Sequence, residues 1–457
     1  MIKDVAVVIC NWNRQDYIIK CIDSVLKSKK IVFDIIVVDN ASTDDSVKLI
    51  EEAFSDQVHL IVKEQNTGGA DGFNTGIKYA LSKGYEYIYM LDNDVVIEEE
   101  ALYHLYDLMK KNERVAVVGS KILYMNEPER IQYLGAQVNW NAFLLDHNYS
   151  NVLDHEELPE VIYTDIVPAC SLLVRSEVIL KAGGMDPEYF IYFDDVDMCY
   201  SMKQLGYEVC VYTKSVIYHA RGVLNRQTTF ADFYSRRNAN YFYAKFVEIE
   251  KVPLLAKKIV EGLFKEYYFG MFNGREVIVR SRLYAILDLL EGRRGKAPED
   301  RISPVEPVKL NFLSKLNDFR KVAIVVNCVD VLIRLINDIL EQYSFISITL
   351  IIPNDEGIKS DIDSISELNL MKISINDFVP AQYDQVIQIC DHVSNYRNYI
   401  EWQSDIYVDN YYNVIQSEND KTYIDNKEQS QKNFYALYTP IIVEKLYKLK
   451  ESIAKKH

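Results

Sequence analysis

The sequence predicts a doubly wound α/β fold. Three observations carry that prediction. Apolar runs rich in β-branched residues recur at 5–10 (VAVVIC), 35–38 (IIVV), 58–62 (VHLIV) and 87–91 (YIYML). The segments between them repeat apolar residues at helical spacing. Each run also ends on polar residues, namely Asn11 and Asn13, Asp39, Asn66, and Asp92 with Asp94. Buried parallel strands read as continuous apolar stretches, and functional groups of such sheets collect at the carboxyl ends of the strands.

The elements follow in order. After the first run, Tyr17, Ile18, Cys21, Ile22 and Val25 mark a helix face. After the second, Ser42-Thr43-Asp44-Asp45 supplies short polar caps and first-turn acids, and Val47, Ile50 and Phe54 continue as a helix. The third run leads into 66–76 (NTGGADGFNTG) and a short helix to Leu81. The fourth carries Asp92-Asn93-Asp94, after which a helical pattern is expected through Ala101, Leu105, Leu108 and Met109. Further strands are expected at 115–119, 166–174, 209–212 and 215–219. A helix from Arg175-Ser176-Glu177 to Gly183-Gly184 precedes an aromatic run that enters Asp194-Asp195-Val196-Asp197. Residues 230–246 read as an aromatic-rich helix containing Arg236, Arg237 and Asn238.

Domain organisation is expected as 1–248, a catalytic α/β domain; 249–300, a helical extension; and 301–457, a smaller α/β accessory domain. The extension reads either as an amphipathic face on a membrane surface or as a helical pair packed on the catalytic domain. Residues 293–307 read as a polar linker. The accessory domain has no glycine-rich phosphate loop and no complete set of active-site groups. Its expected roles are acceptor recognition, homo-oligomerisation or docking of a second transferase.

Bulk properties narrow the function. The net charge is −16, from 51 basic and 67 acidic residues, which leaves no broad basic field for a nucleic acid. The seven cysteines are scattered and without CxxC spacing, which suits a reducing compartment. The N-terminus runs almost directly into a strand without a signal-peptide layout, and no apolar stretch reaches about 18 residues. A cytoplasmic protein, or one peripheral on the inner face of the cell membrane, is expected.

Four constellations carry chemistry. Asp92 and Asp94, one residue apart at a strand mouth, can hold Mg²⁺ or Mn²⁺ against a diphosphate; alone, such a pair is more often a solvated turn. The crowded acids 194–197 raise one another's proton affinity, so Asp195 is the expected general base and Asp197 an organiser of the helix start. His219 is the expected third metal ligand, since imidazole suits Mn²⁺. Asp39 can accept from a uracil or thymine imide N–H, with Asn11 and Asn13 fixing base or ribose. Gly68, Gly69 and Gly72 allow close backbone approach, and Asn66 and Gly69 are donor-contact candidates. Their spacing is not that of a dinucleotide fingerprint or P-loop, and no GxSxG or HExxH motif is present.

Taken together, VVICNWNR, IIVVDNASTDDS, QNTGGADGFNTG, YMLDNDV, PACSLLVRSEV, GGMDPEYFIYFDDVDMCYSMKQLGY and VIYHARG occur in order over residues 4–245. This set resembles the inverting family 2 glycosyltransferases of the GT-A, Rossmann-like fold, nearest the rhamnosyl- and galactofuranosyltransferases of bacterial cell-wall and capsule polysaccharides. The resemblance implies a UDP- or dTDP-sugar donor, a divalent cation (Mn²⁺ or Mg²⁺) and a glycan or lipid-linked acceptor. It implies roles for Asp39 at the base, Asp92 and Asp94 at the metal, Asp195 as base and His219 completing the metal site. The chain departs from the galactofuranosyl pattern at Asp71, where glycine is usual, and has Tyr192-Phe193 in place of a tryptophan-rich turn. QxxRW and transmembrane helices are absent, favouring a non-processive enzyme. The opposing readings are a catalytically inactive transferase-like scaffold and a sugar nucleotidyltransferase; the latter usually opens with a glycine-rich basic loop where this chain has Asn-Trp-Asn-Arg.

Overall fold

A computed structural model describes residues 4–154, 157–220, 228–272, 275–305, 311–316, 318–329, 331–355, 358–359, 362, 370–402, 404 and 406–455. The chain forms two compact units. The first comprises Met1–Ile259, Ser281–Pro304 and Ile442–His457, and the second Val260–Arg280 and Val305–Ile441. These units divide the chain differently from the expected segments 1–248, 249–300 and 301–457. A helix contributes through the faces it buries, so the unit boundary falls inside one helix, Val252–Phe272.

The first unit is built on an eleven-stranded sheet. Its parallel heart consists of β1 (Val5–Asn11), β2 (Phe33–Asp39), β3 (Val58–Val62) and β4 (Tyr87–Asp92), in the spatial order β3-β2-β1-β4. Helices α1 (Gln15–Leu26), α2 (Ser46–Phe54) and α3 (Gly69–Lys83) make the crossovers. Alternation along β1 explains why both faces are covered. Val5, Val7 and Ile9 pack with Ile18, Ile22 and Val25 of α1 and Ile50 and Phe54 of α2. Ala6 and Val8 pack with Ala70, Phe73 and Ile77 of α3. Each fully buried aliphatic side chain contributes roughly 1.5–3 kcal/mol over its exposed state.

The later strands of this unit give a mixed pattern. They are β5 (Val95–Ile97), β6 (Val115–Tyr124), β7 (Arg130–Tyr133), β8 (Ala136–Asn139), β9 (Leu144–His147), β10 (Val152–Leu153), β11 (Val161–Thr164), β12 (Ser171–Arg175) and β13 (Glu208–His219); β8 and β9 pair only with each other, as a separate two-stranded sheet, and the other seven complete the eleven. β12 inserts antiparallel between β4 and β6. Two expectations are corrected here. The chain does not turn helical directly after Asp94: β5 intervenes, and α4 (Ala101–Lys111) starts only afterwards. The strands expected at 209–212 and 215–219 are one strand, β13, with a register shift between Tyr212 and Val216. Thr213-Lys214-Ser215 reads locally as a break, yet pairing with β6 carries the strand through it.

Helices α5 (Ser176–Ala182), α6 (Asp194–Gln204) and α7 (Phe230–Phe246) complete the expected pattern of this unit. Of the polar stretch expected as a linker, residues 293–304 are instead part of the first unit. Arg294 pairs with Asp186 and Glu188, and the Ser303 amide donates to Thr229 Oγ1. The next helices are α8 (Val252–Phe272) and α9 (Glu276–Leu290). Along α8, Leu255 and Ile259 are buried in the first unit and Leu263 and Phe264 in the second. No helix among the described residues is long and apolar enough to cross a membrane.

The second unit has its own sheet: β14 (Lys321–Val325), β15 (Ser347–Ile352), β16 (Met371–Ser374), β17 (Gln385–Cys390), β18 (Ile406–Asp409) and β19 (Val414–Ile415). The spatial order is β16-β15-β14-β17-β18-β19, parallel except for β19. Helix α10 (Leu332–Gln342) buries Leu332, Leu335, Ile336 and Ile339 on one face.

Candidate active site

The carboxyl ends of β1, β2 and β4 point to one edge of the sheet. Cys10 pairs in register with Asp92, and Asn11 with Asp39. Asn11 joins the two halves of the edge. Its Nδ2 donates to Asp39 Oδ2 at 2.8 Å, and its Oδ1 accepts from Asn93 Nδ2 at 2.7 Å. The residue between the two aspartates is therefore a structural pin that leaves the acids on either side of it to face the site.

Asp92 and Asp94 meet His219 through strand pairing. β13 runs antiparallel to β5, which places His219 opposite Val95, and the Ala220 amide donates to the Asp94 carbonyl. His219 Nε2 lies 3.2 Å from Asp94 Oδ1. The other ring nitrogen, Nδ1, is 2.7 Å from Gln132 Oε1, an arrangement that fixes the ring plane and directs Nε2 at the acids. One ligand atom from each of Asp92, Asp94 and His219 lies within 4.8 Å of the others. Burial, then the charge of Asp94, push Asp92 up to about 7, with His219 opposing and Asp195 adding to the rise. Burial alone lowers His219, but the hydrogen bond and charge of Asp94, with the charge of Asp92, carry it above its ordinary value. Two oxygen donors, one imidazole and excess negative charge fit a divalent cation such as Mn²⁺ or Mg²⁺.

Asp195 lies in the first turn of α6. Its Oδ2 accepts from the Ala169 amide at 3.1 Å and its Oδ1 from the Val196 amide at 2.8 Å. Burial raises its proton affinity against those two donors. Asp194 is pushed up to about 8 by burial and then by Asp195. Asp197 is buried and holds its surroundings together: it accepts from Tyr189 Oη at 2.7 Å and pairs with Lys245 at 2.6 Å.

The loop before these acids is held in an unusual conformation. Phe190, Tyr192 and Phe193 all have positive φ, at 67°, 63° and 68°. Side chains disfavour this region, so tertiary contacts must maintain it. Asn238, buried in α7, supplies them: its Nδ2 lies within donor distance of the Tyr189, Ile191 and Tyr192 carbonyls, at 2.9, 2.7 and 3.0 Å. Sequence reading singles out Asn238 only as part of a polar cluster in an aromatic helix. Three carbonyl partners in a distant loop leave no local signal.

The donor-contact candidates fall into two groups. Asn13 and Asn66 lie in the turns after β1 and β3. Asn13 Oδ1 accepts from the Thr43 amide at 2.7 Å, and Asn66 Oδ1 from the Gly68 amide at 2.8 Å. Asp39 differs from expectation: it is fully buried and accepts from Asn11 Nδ2, the Ser42 amide and Ser42 Oγ. It shapes the turn after β2 from beneath rather than presenting a free carboxylate edge. Gly69, the first residue of α3, has open space where a side chain would go, so its backbone is approachable but glycine is not sterically required there. The constrained position is Gly68, with φ +90°, where a Cβ would fall 2.1 Å from the Phe190 carbonyl oxygen. The N-terminus of α3 thus packs on the strained loop. Asp71 forms an ion pair with Lys63 at 2.7 Å and accepts from Thr67 Oγ1 at 2.7 Å, bracing the same glycine-rich turn. Arg221 and Gly222 of VIYHARG lie outside the described residues.

Residues 6–158 match the family described as Glycosyl transferase family 2. Among curated proteins, the chain is 30% identical over 122 residues to the glycosyltransferase GlyG of Streptococcus pneumoniae serotype 4, covering 26% of this chain and 40% of that protein. It is 34% identical over 120 residues to the poly(ribitol-phosphate) beta-glucosyltransferase of Bacillus spizizenii, covering 25% of this chain and 18% of the relative. It is 28% identical over 118 residues to the poly-beta-1,6-N-acetyl-D-glucosamine synthase of Staphylococcus epidermidis, covering 26% and 28%. The chain thus spans less than half the length of each of these relatives. Among solved structures, GalNAc-T7 with UDP, GalNAc and Mn²⁺ aligns over 56% of this chain and 50% of its own at 15% identity and a TM-score of 0.47. The match to the family 2 glycosyl transferase model thus falls on the N-terminal part of the first unit, whose sheet has a mixed α/β, Rossmann-like architecture.

Proposed function

We propose that the first unit transfers a sugar, with inversion, from a UDP- or dTDP-sugar to a hydroxyl of a surface polysaccharide or lipid-linked acceptor. The observation that carries this reading is the Asp92–Asp94–His219 cluster, with Asp195 close enough to Asp92 to act on its titration. Asp92, Asp94 and His219 would hold the cation, which when bound neutralises charge on the departing diphosphate. Asn11, Asn13 and Asn66 with the Gly68-Gly69 backbone form the donor edge, and Asp39 holds its shape. Asp195 receives the proton of the acceptor hydroxyl as that oxygen bonds to the anomeric carbon. The bond from that carbon to the diphosphate oxygen breaks, and its electron pair leaves with the nucleotide. Burial suits Asp195 to this task by strengthening it as a base. The poly(ribitol-phosphate) and poly-beta-1,6-N-acetyl-D-glucosamine names among the curated relatives support the acceptor class.

The test has two parts. Calorimetry with UDP and with dTDP, in the presence and absence of Mn²⁺, should show metal-dependent binding. Nucleotide release from UDP-galactofuranose, dTDP-rhamnose, UDP-glucose and UDP-galactose then selects the donor. Asp195→Asn should keep nucleotide binding and lose roughly 10²–10⁴-fold in turnover. Near-normal turnover in that variant removes Asp195 as the base, and absence of any nucleotide binding favours the scaffold reading.

A further inference from the structure

One face of α7 grips the acid loop at two points. Asn238, Tyr241 and Lys245 are spaced along that helix so that they share a face over two turns. Asn238 holds the loop before the acids through the Tyr189, Ile191 and Tyr192 carbonyls. Tyr241 packs edge-on against Tyr189, with ring centroids 5.6 Å apart. Lys245 holds the segment after the acids: its Nζ pairs with both carboxylate oxygens of Asp197, at 2.6 and 2.9 Å. Tyr189 Oη donates to the same carboxylate at 2.7 Å and closes the grip. Asp194 and Asp195 lie in the span between these two points.

The orientation of Asn238 is set from behind. Arg237 Nε donates to Asn238 Oδ1 at 3.0 Å, and Arg237 Nη2 donates to the Gly295 carbonyl at 2.8 Å. A guanidinium only donates, so the amide oxygen must face it and the amide nitrogen must face the loop carbonyls. Arg237 and Asn238 are each 2% exposed, so water cannot substitute for these partners. Phe193, at φ 68°, caps α6, and its carbonyl accepts from the Asp197 amide at 3.0 Å. Where Phe193 sits therefore decides where the first turn of α6, and Asp195 with it, begins. Beyond α6 the Asp195 carboxylate accepts from the Ala169 amide at 3.1 Å, a contact that depends on the same placement.

We infer that Asn238 and Lys245 are positioning residues for the general base, acting through the turn that carries Asp195. The inference rests on the glycosyltransferase reading, in which Asp195 takes the acceptor proton. A base displaced by about 1 Å can lose on the order of 10²-fold in rate. The cation ligands stand on β4, the turn after it and β13, so metal-dependent nucleotide binding does not depend on this grip.

A double-mutant cycle on the full chain tests this. It is read as nucleotide release from the four sugar nucleotides named above with Mn²⁺, water standing in for the acceptor hydroxyl. Asn238→Asp keeps the side-chain shape and the Arg237 contact but turns an oxygen toward three carbonyls. It should lower kcat by about tenfold to 10²-fold, while calorimetry shows metal-dependent UDP binding retained. In an Asp195→Asn background the same change should cost less than about twofold, because the group it acts through is already lost. Lys245→Met should repeat both results, and Lys245→Arg, which keeps the cation, should recover most of the rate. This second position carries the test if Asn238→Asp does not fold. Unchanged kcat in a folded Asn238→Asp or Lys245→Met overturns the inference. So does a full further loss in the Asp195→Asn background, or a loss that falls on UDP binding instead of kcat. Near-normal turnover in Asp195→Asn alone is a different failure: it removes the base reading, and the inference with it.

Discussion

Both units carry a parallel sheet wound outward from a central strand, yet their strand ends are put to different uses. In the first unit β4 ends on Asp92, half-buried beside Asp94 and His219, with its proton affinity raised by burial and like charge. In the second unit β18 ends on Asp409, fully buried, which accepts from the amides of Val393, Tyr411 and Asn413 and from Asn413 Nδ2. One carboxylate is crowded by other acids and suited to a cation. The other is saturated by donors and holds a turn. The comparison teaches that a doubly wound sheet supplies the position, while the neighbours decide whether an acid there is chemical or structural. The deciding neighbours in the first unit come from outside the parallel core: His219 from β13 and Gln132 from β7.

The sharpest way to break this contrast is to remove one acid from each unit. Asp94→Ala should reduce metal-dependent UDP binding by roughly 10²-fold or more, since a cation ligand and the partner of His219 are lost together. Asp409→Ala should leave UDP binding unchanged and lower stability by about 2 kcal/mol or more, because buried donors lose their acceptor. Calorimetry and denaturant unfolding of both variants check the pair; a binding defect in Asp409→Ala would erase the distinction. A smaller effect is expected at Gln132→Ala. Freeing the His219 ring should cost about 10–100-fold in Mn²⁺ affinity without changing the fold. Direct Mn²⁺ titration followed by electron paramagnetic resonance reads it.

The smallest effect concerns pH. Asp92 and Asp194 have folded-state pKa values raised to about 7 and about 8 from an ordinary 3.8. The folded state therefore binds protons more tightly than the unfolded state. These two groups favour folding below the unfolded value, and their contribution falls as pH rises through about 4 to 8. Thermal unfolding without metal should show this decline, and Asp194→Asn should flatten it. A saturating cation should oppose it, and at one hundred times its dissociation constant would add about 2.7 kcal/mol. A metal-free melting temperature that rises steadily from pH 5 to 8 would contradict the electrostatics assigned to the acids.

Much of the first unit was readable because its signals are local. An apolar β-branched run followed by helical spacing needs no distant partner, which is why β1 to β4 and the acids Asp92 and Asp94 stand out in the sequence. Asp195 stands out for the same reason, as one of three acids at a helix start. Reading failed where pairing between distant segments overrides local pattern. β5 is three residues long and is followed by acids that look like a helix start, while β13 continues through a polar break because β6 supports it.

The sequence by itself determined the α/β alternation, the strand-end chemistry and the acids of the site, since hydrophobic periodicity and residue type act within a few positions. Tertiary structure alone decided three things. It set His219 against Asp94 by pairing β13 with β5. It buried Asp39 under a turn and made it a support rather than an exposed acceptor. It also drew Phe190, Tyr192 and Phe193 into a loop against which Asn238 and Gly68 pack. Each depends on residues far apart in the chain meeting at one edge of the sheet, and the free energy of that meeting resides in burial and hydrogen bonds that no local stretch contains.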